Sequence, residues 1–231
     1  MSDRTLNRIG TGCRELDSLL SGGLEVGEIL LVYGERGSGK TALAFQVMSN
    51  FASLGKGAAM VYTEGRPPVS RLMAISGRSW DAISDLIWVV EVKSFESQES
   101  VIEELEYQMP PGVAVIAIDT ITSRYREVLG EHDENIVVNK SLNRQLAMLK
   151  DLCRRKALSV LITGEVRMQL DGKGIQPVAP AILSYWSDRI VRLERPLGDV
   201  RKAVLERPPP KREAVIRLTE KGFIGAGGVA P

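Results

Sequence analysis

Histidine and cysteine are scarce in this sequence, which has one histidine and two cysteines among 231 residues. Cys13 and Cys153 lie far apart along the chain and His132 stands alone, so no zinc-ligand spacing and no Cys-His or Ser-His catalytic motif is present. Disulfides and structural metals are therefore not expected to hold this chain together. A chain of this length is long enough to fold around a hydrophobic core of its own.

An excess of charge of one sign is also absent, because 30 Lys and Arg residues stand against 29 Asp and Glu residues. A net charge of +1 gives no general attraction to nucleic acid or anionic lipid, so any DNA contact must come from local patches. No apolar run approaches the roughly 18 residues of a membrane span, and the first residues are polar. These absences predict a cytoplasmic protein with free thiols and no membrane contact.

Short apolar runs rich in Val and Ile alternate with longer segments of helical periodicity. Continuous apolar runs are typical of parallel strands that are buried on both faces. The predicted inner strands are residues 28–33, 58–63, 113–119 and 158–163, with a fifth at 86–92. The predicted helices are residues 41–54, 67–76, 96–109 and about 134–156. This alternation predicts an α/β fold with a mostly parallel central sheet flanked by helices.

After Ser187 the pattern changes to strands that alternate apolar and polar residues, separated by Pro and Gly turns. These strands are predicted at residues 189–195, 200–206 and 213–218, and they indicate an antiparallel extension of the sheet. No repeat or second domain is visible. We therefore expect a single domain over residues 1–231, with a flexible tail at 225–231.

The segment from Gly34 to Thr41 matches the P-loop pattern G-x-x-x-x-G-K-[ST], between a predicted strand and a predicted helix. Glycines let successive backbone N–H groups face one phosphate, and the helix N-terminus adds its positive dipole end. Lys40 supplies a charge for the β- and γ-phosphates, and the Thr41 hydroxyl is a ligand for Mg²⁺. A turn without a ligand is the alternative. The residues expected to contact ATP are Gly34, Glu35, Arg36, Gly37, Ser38, Gly39, Lys40, Thr41 and Ala42.

Two acidic residues at strand ends complete the expected site. Asp119 ends the apolar strand 113–119, at the edge where open α/β sheets bind ligands, and is expected to hold Mg²⁺ through water. Glu64 follows the strand 58–63, where a carboxylate can polarise the water that attacks the γ-phosphate. A capping aspartate and an exposed loop glutamate are the structural alternatives. Glu64 and Lys40 are the catalytic candidates.

Polar residues beyond two strand ends are candidates for a functional surface. Arg126 or Tyr125, which follow the strand that ends at Asp119, can contact the nucleotide or DNA. Glu165 follows the strand 158–163. A polar residue at this place can sense the γ-phosphate and transmit its presence or absence to the next loop. The alternative is that this loop is only flexible.

Basic side chains are concentrated in residues 189–212, which carry eight Lys or Arg against three Asp or Glu. Such residues can follow a phosphate backbone, although charges on strands also protect sheet edges. The candidates for DNA contact, from this stretch and from the polar segments, are Arg124, Arg167, Lys173, Arg201, Lys202, Lys211 and Arg212.

On these residues the sequence resembles the RecA/RadA recombinase superfamily, and most closely its archaeal RadB paralogues, over nearly the whole chain. The matching segments are residues 11–17 (TGCRELD), 19–24 (LLSGGL), 34–41 (GERGSGKT), 62–65 (YTEG), 119–122 (DTIT), 142–146 (LNRQL) and 186–194 (WSDRIVRLE). The first and last of these segments favour RadB over other RecA-type proteins.

The resemblance implies that Lys40 and Thr41 bind ATP and Mg²⁺, that Asp119 supports the metal, and that Glu64 is the catalytic carboxylate. The segments that correspond to DNA-facing loops are residues 123–139 and 165–177. It also implies weak ATP hydrolysis, binding of single-stranded or branched DNA, and contact with a RadA-type recombinase or a junction resolvase. Since such cores usually complete their site with a neighbouring subunit, a homo-oligomer is an open alternative.

Several features depart from the family pattern. Residues 164–166 (GEV) replace the usual Asn-Gln-Val, and a carboxylate there repels a nearby γ-phosphate. Residues 178–180 (VAP) stand in the place of Gly-Gly-Asn, and an N-terminal DNA-binding domain is not expected. These features favour an ATP-binding accessory protein of DNA repair over an active, DNA-stimulated strand-exchange recombinase. A KaiC-like signalling ATPase is a third hypothesis, although that branch has paired glutamates where this chain has Glu64 and Gly65.

Overall fold

The computed structural model describes residues 8–169 and 174–226 of the chain. The strands are β1 (Arg8–Ile9), β2 (Leu24–Glu25), β3 (Ile29–Gly34), β4 (Gly57–Tyr62), β5 (Ile87–Glu91), β6 (Val113–Asp119), β7 (Ser159–Gly164), β8 (Val166–Met168), β9 (Ile175–Pro177), β10 (Arg189–Glu194), β11 (Val200–Arg207), β12 (Arg212–Thr219) and β13 (Gly222–Gly225). The helices are α1 (Arg14–Leu19), α2 (Lys40–Ser53), α3 (Val69–Ser76), α4 (Phe95–Gln108), α5 (Ser123–Glu127), α6 (His132–Arg155) and α7 (Pro180–Trp186).

Nine strands form the central sheet in the order β13-β12-β11-β10-β3-β7-β6-β4-β5. The six strands from β10 to β5 run parallel, and β11, β12 and β13 continue the sheet antiparallel. Two small antiparallel pairs, β1-β2 and β8-β9, lie outside it. The carboxyl ends of the parallel strands share one edge of the sheet, which is where this architecture places a ligand site.

Alternate residues of the inner strands point into two separate hydrophobic layers. In β3, Leu30 and Val32 pack into the layer that contains the buried side chains of α2, while Leu31 packs into the layer that contains Leu146 of α6. All residues of β3, β4 and β7 are buried. Burial on both faces explains why these strands are apolar along their whole length.

The structure confirms the predicted fold class, and all predicted strands and helices are present within a few residues of their expected bounds. The segment 123–139 differs from the expected long loop, because α5 and the first turns of α6 occupy most of it. Gly225, placed in the predicted tail, ends β13, and residues 227–231 lie outside the described residues. Among the described helices, none is both long and apolar enough to cross a membrane.

Candidate functional site

A cleft of about 700 Å³ opens at the carboxyl edge of the parallel strands. The loop between β3 and α2 forms one wall, residues that follow β4, β6 and β7 form another, and one residue each from α3 and β12 completes the lining. Its lining residues are Gly34, Arg36, Gly37, Gly39, Lys40, Thr41, Ala42, Glu64, Arg71, Thr120, Arg126, Glu165, Val166 and Leu218. Most of the residues predicted for the nucleotide site therefore lie around one cavity.

The glycine-rich loop is held in a conformation that its glycines make possible. Gly39 has a φ of +106°, in the left-handed region, and a Cβ atom there would lie 2.5 Å from Cζ of Phe223. Gly34 is equally confined, since a Cβ atom would lie 2.3 Å from the carbonyl oxygen of Leu193. The loop is thus packed closely between β10 and β13, which limits it to one backbone path.

Lys40 is the central cation of the cleft. Its ammonium group donates to the carbonyl oxygens of Gly34 at 2.8 Å and Glu35 at 3.2 Å. Burial lowers the pKa of Lys40, while the negative charges of Asp119, Glu64 and Glu165 oppose that shift. An ammonium has three N–H donors, so one remains for an anion after the two carbonyls are bound.

Asp119 is fully buried at the end of β6. Its Oδ1 atom accepts a hydrogen bond from the Thr163 hydroxyl at 2.5 Å, whereas its Oδ2 atom has no hydrogen-bond partner among the residues that the structure describes. Burial raises the pKa of Asp119, and the nearby hydroxyls of Thr163 and Thr41, with Lys40, partly offset that rise. A buried carboxylate oxygen without a partner is costly, so the pair of Asp119 and Thr41 fits a hard cation such as Mg²⁺.

Glu64 stands at the mouth of the cleft, where β4 ends. The preceding residue, Thr63, is tied to the next strand end, since its hydroxyl donates to the Thr120 carbonyl at 3.0 Å and accepts from the Thr120 N–H at 2.8 Å. Partial burial raises the pKa of Glu64, and the carboxylates of Asp119 and Glu165 raise it further. A carboxylate with a raised pKa is a better proton acceptor than an ordinary glutamate.

Arg126 and Glu165 meet at the cleft as an ion pair, with Nη1 of Arg126 at 3.1 Å from Oε1 of Glu165. The backbone of Glu165 is held on both sides: its N–H donates to the Thr122 hydroxyl at 2.9 Å, and its carbonyl accepts from the Val178 N–H at 2.9 Å. Glu165 therefore connects the cleft to the β8-β9 hairpin. This position suits the expected sensor, and it gives Arg126 a protein partner that the sequence did not indicate.

The residues proposed for DNA contact do not form one surface. Arg201 differs most from the expectation, because it is 5% exposed and bonds only to backbone carbonyls, so the structure does not support its DNA contact. Lys202 pairs with Glu213 at 2.8 Å on the sheet.

Three of the other basic candidates are exposed. Arg167 is exposed on β8, and Lys211 and Arg212 are exposed where β12 begins, with Arg212 donating to the Ser21 hydroxyl at 3.2 Å. Arg124 pairs with Glu127 at 2.7 Å. Lys173 lies outside the described residues. The exposed basic residues therefore lie at two separate places, on β8 and at the turn between β11 and β12.

Sequence reasoning missed several cleft residues that come from distant segments. Arg71 of α3 lines the cleft and donates to the Thr219 carbonyl at 2.7 Å, and Leu218 of β12 lines it as well. No motif marks these residues, because only the packing of the C-terminal strands against the loop brings them there. For Arg71, the one signal in the sequence was its position as a basic residue shortly after the strand that Glu64 follows.

Known proteins are similar to this chain over most of its length. The sequence model of the Rad51 family matches residues 3–226. A protein from Methanococcoides burtonii, named DNA repair and recombination protein RadB, is 33% identical over 185 residues, which are 80% of this chain and 82% of that protein. Proteins of the same name from Methanosphaera stadtmanae and Methanocaldococcus jannaschii are 31% and 32% identical, each over 90% of this chain and over 92% and 98% of their own lengths.

The match extends from the first strand to the last and includes every wall of the cleft. The identities exceed 30% over most of both chains, and the fold is the one that the sequence pattern predicts. The chain therefore belongs to the Rad51 family of the RecA/RadA superfamily, in its archaeal RadB-type branch.

Proposed function

We propose that this chain binds ATP with Mg²⁺ in the cleft, hydrolyses it slowly, binds DNA and assists a main recombinase in DNA repair and recombination. The observation that supports this most strongly is the combination of Lys40 in the glycine-rich wall of the cleft with a buried Asp119, whose charge acts on Lys40 and whose Oδ2 atom has no hydrogen-bond partner among the described residues. This pair provides a cation for phosphates and an oxygen ligand for a metal at one glycine-rich loop. The names of the RadB relatives support the role in repair and recombination.

The residues of the loop would bind the phosphates of ATP. The ammonium of Lys40 donates to the β- and γ-phosphates, and the N-terminus of α2 adds the positive end of its dipole. Thr41 and Asp119 would hold Mg²⁺, which neutralises phosphate charge when it is bound. Two protein groups are few, and Asp119 would act through water, which suits Mg²⁺ because this ion keeps waters and substrate phosphates among its ligands.

Glu64 would act as the general base of hydrolysis. It accepts a proton from water as the water oxygen attacks the γ-phosphorus, and ADP leaves with the electron pair of the broken bond. Glu165 opposes this reaction, because its negative charge lies at the same cleft as the γ-phosphate. We expect slow turnover because one site holds both the base Glu64 and the carboxylate of Glu165, which repels the γ-phosphate.

DNA would bind along the exposed basic positions at Arg167 and at Lys211 and Arg212. Single-stranded or branched DNA suits isolated basic patches better than a long duplex track, because the net charge is only +1. The proposed protein partners are a RadA-type recombinase or a junction resolvase. Assembly with further copies of the chain is part of the same proposal.

The first experiment compares the wild type with Lys40→Ala and with Lys56→Ala, an exposed lysine after α2 that serves as the control. ATP affinity and hydrolysis are measured with and without single-stranded DNA, and DNA binding at about 50 and 200 mM salt. We expect slow hydrolysis that DNA does not stimulate, DNA binding that weakens only moderately between the two salt concentrations, and a loss of ATP affinity of about tenfold or more in Lys40→Ala only.

Other results would lead to different conclusions. Strong stimulation by DNA that disappears in Lys40→Ala would replace the accessory role with an active strand-exchange recombinase. Phosphate retained on the protein after incubation with labelled ATP would indicate the signalling ATPase instead. Equal ATP affinity in all three proteins would remove the cleft as the nucleotide site.

A further inference from the structure

Arg201 connects the antiparallel part of the sheet to the glycine-rich loop. It lies near the start of β11, where it pairs with Ile216 of β12, and β10 separates β11 from β3. Its side chain reaches back over β10 to the loop that follows β3. A residue that is more than 160 positions away in sequence therefore contacts the phosphate loop directly.

Within the described residues, the Arg201 guanidinium donates its hydrogen bonds to backbone carbonyls. Nε donates to Ser38 O and Nη2 donates to Gly37 O, both at 3.1 Å. Nη1 donates to Gly198 O and Val200 O, both at 2.8 Å. A planar guanidinium with its donors in a fixed fork can hold two adjacent loop peptides at once, which a lysine ammonium cannot do with the same geometry.

These bonds determine the direction of two peptide planes in the loop. In a planar trans peptide the C=O and N–H bonds point in opposite directions. When Arg201 holds the carbonyl of Ser38, it directs the Gly39 N–H to the opposite side of that peptide. Holding the Gly37 carbonyl fixes the adjacent peptide group as well, whose N–H, that of Ser38, donates to the Glu35 carbonyl at 3.1 Å within the loop. Loop N–H groups of this kind are the ones that bind phosphate oxygens.

The charge of Arg201 is not neutralised by a nearby carboxylate. Among residues 8–169 and 174–226 it forms no ion pair within 4.0 Å, and Asp199, which attracts it from farther away, is paired with Arg217 at 2.8 Å. Burial lowers the pKa of Arg201, but a guanidinium stays protonated near neutral pH. A buried positive charge thus lies directly behind the loop and attracts an anion on its other side.

We propose that Arg201 is a positioning residue for nucleotide phosphates: it orients the Gly37 and Ser38 peptides and adds an unneutralised charge behind the phosphate loop. This inference rests on the proposed nucleotide site and adds a residue that has no contact with the ligand. It also reassigns a candidate DNA-contact residue to the nucleotide.

The test measures Mg-ADP and Mg-ATP affinity by calorimetry for the wild type, Arg201→Lys and Arg201→Met. Arg189→Lys is the matched control, because Arg189 is 7% exposed and bonds to Leu20 O, Glu25 and Glu28, away from the cleft. Circular dichroism and urea unfolding give the folded fraction of each protein. We expect Kd to rise about tenfold in Arg201→Lys and further in Arg201→Met, with a change below about twofold in Arg189→Lys.

The outcomes separate this inference from the proposed function. If the wild type binds no nucleotide, both fail. If the wild type binds and Lys40→Ala does not, but folded Arg201→Lys binds like the wild type, only the role of Arg201 is overturned. Equal losses of affinity in the folded Arg201→Lys and Arg189→Lys variants would assign both residues to general stability and would also overturn it.

A measurement on the wild type decides the matter if the Arg201 variants do not fold. The side-chain Nε–H signals of Arg201 and Arg189 can be followed by nuclear magnetic resonance as Mg-ADP is added. We expect the Arg201 signal to shift, because the loop carbonyl that it binds moves or polarises with the phosphates, and the Arg189 signal to stay in place. Two unchanged signals at saturating nucleotide would overturn the inference.

Discussion

Three carboxylates, those of Asp119, Glu64 and Glu165, act on the ammonium group of Lys40. They have different surroundings: Asp119 is fully buried, Glu64 stands at the mouth of the cleft, and Glu165 is paired with Arg126. Residues of one chemical type can therefore have separate tasks, which the local environment assigns.

Glu165→Gln is expected to increase ATP affinity, turnover or both, because it removes a negative charge from the cleft while it keeps the size of the side chain. Glu127→Gln is the control, since Glu127 pairs with Arg124 and does not line the cleft. Equilibrium binding and steady-state hydrolysis measure the effect. Unchanged values in Glu165→Gln would contradict the placement of Glu165 near the γ-phosphate.

The pH dependence of hydrolysis is expected to reflect the raised pKa of Glu64. The base acts only when it is ionised, so kcat/KM falls as the pH drops through a pKa above the ordinary value of 4.5. Glu165 is one of the charges that raise this pKa, so Glu165→Gln moves the acidic limb of the profile to lower pH. A limb at or below 4.5 in the wild type would argue against Glu64 as the base.

At the scale of elements, β3, β4, β6 and β7 were predictable because burial on both faces makes a strand apolar along its length. The short elements could not be predicted from the sequence. The α7 helix and the β8-β9 hairpin have too few residues to show a period, and tertiary contacts stabilise them. The same contrast applies to the cleft. A local sequence motif marks the glycine-rich loop, whereas Arg71 lines the cleft only because the tertiary fold places it there.

The hairpin of β12 and β13 is expected to stabilise the phosphate loop through Phe223, which is 1% exposed and packs against Gly39. Phe223→Ala should lower the free energy of unfolding by about 3 kcal/mol, because it leaves a cavity in the core. Tyr107→Ala, at a side chain that is 86% exposed, should change it by less than about 0.5 kcal/mol. Urea unfolding measures both, and equal effects would show that Phe223 is not tightly packed.

At the scale of the whole molecule, the near balance of charge limits how DNA can be bound. Because the net charge is only +1, the proposed affinity for DNA depends on a few exposed basic residues. The dependence of DNA binding on salt should therefore be shallow. A shallow dependence would distinguish the chain from proteins that neutralise a long run of phosphates.

Arg167→Ala is expected to weaken binding of single-stranded DNA and to reduce the slope of log K against log salt by about 0.7, the value for one phosphate contact on a single strand. Lys202→Ala is the matched control, because Lys202 is held by Glu213 on the sheet. Fluorescence anisotropy at several salt concentrations gives both slopes. Identical slopes for Arg167→Ala and the wild type would exclude this residue from the DNA surface.

Gln46 of α2 holds both ends of the described chain together. Its side chain donates to Gly12 O at 3.0 Å and Phe223 O at 2.9 Å, and it accepts from the Phe223 N–H at 2.6 Å. The contacts that support the phosphate loop join residues that are 177 positions apart in the sequence, so the loop is held only after these long-range contacts have formed. Refolding should therefore regain helical signal before it regains the capacity to bind nucleotide, so that ligand binding reports the completion of folding.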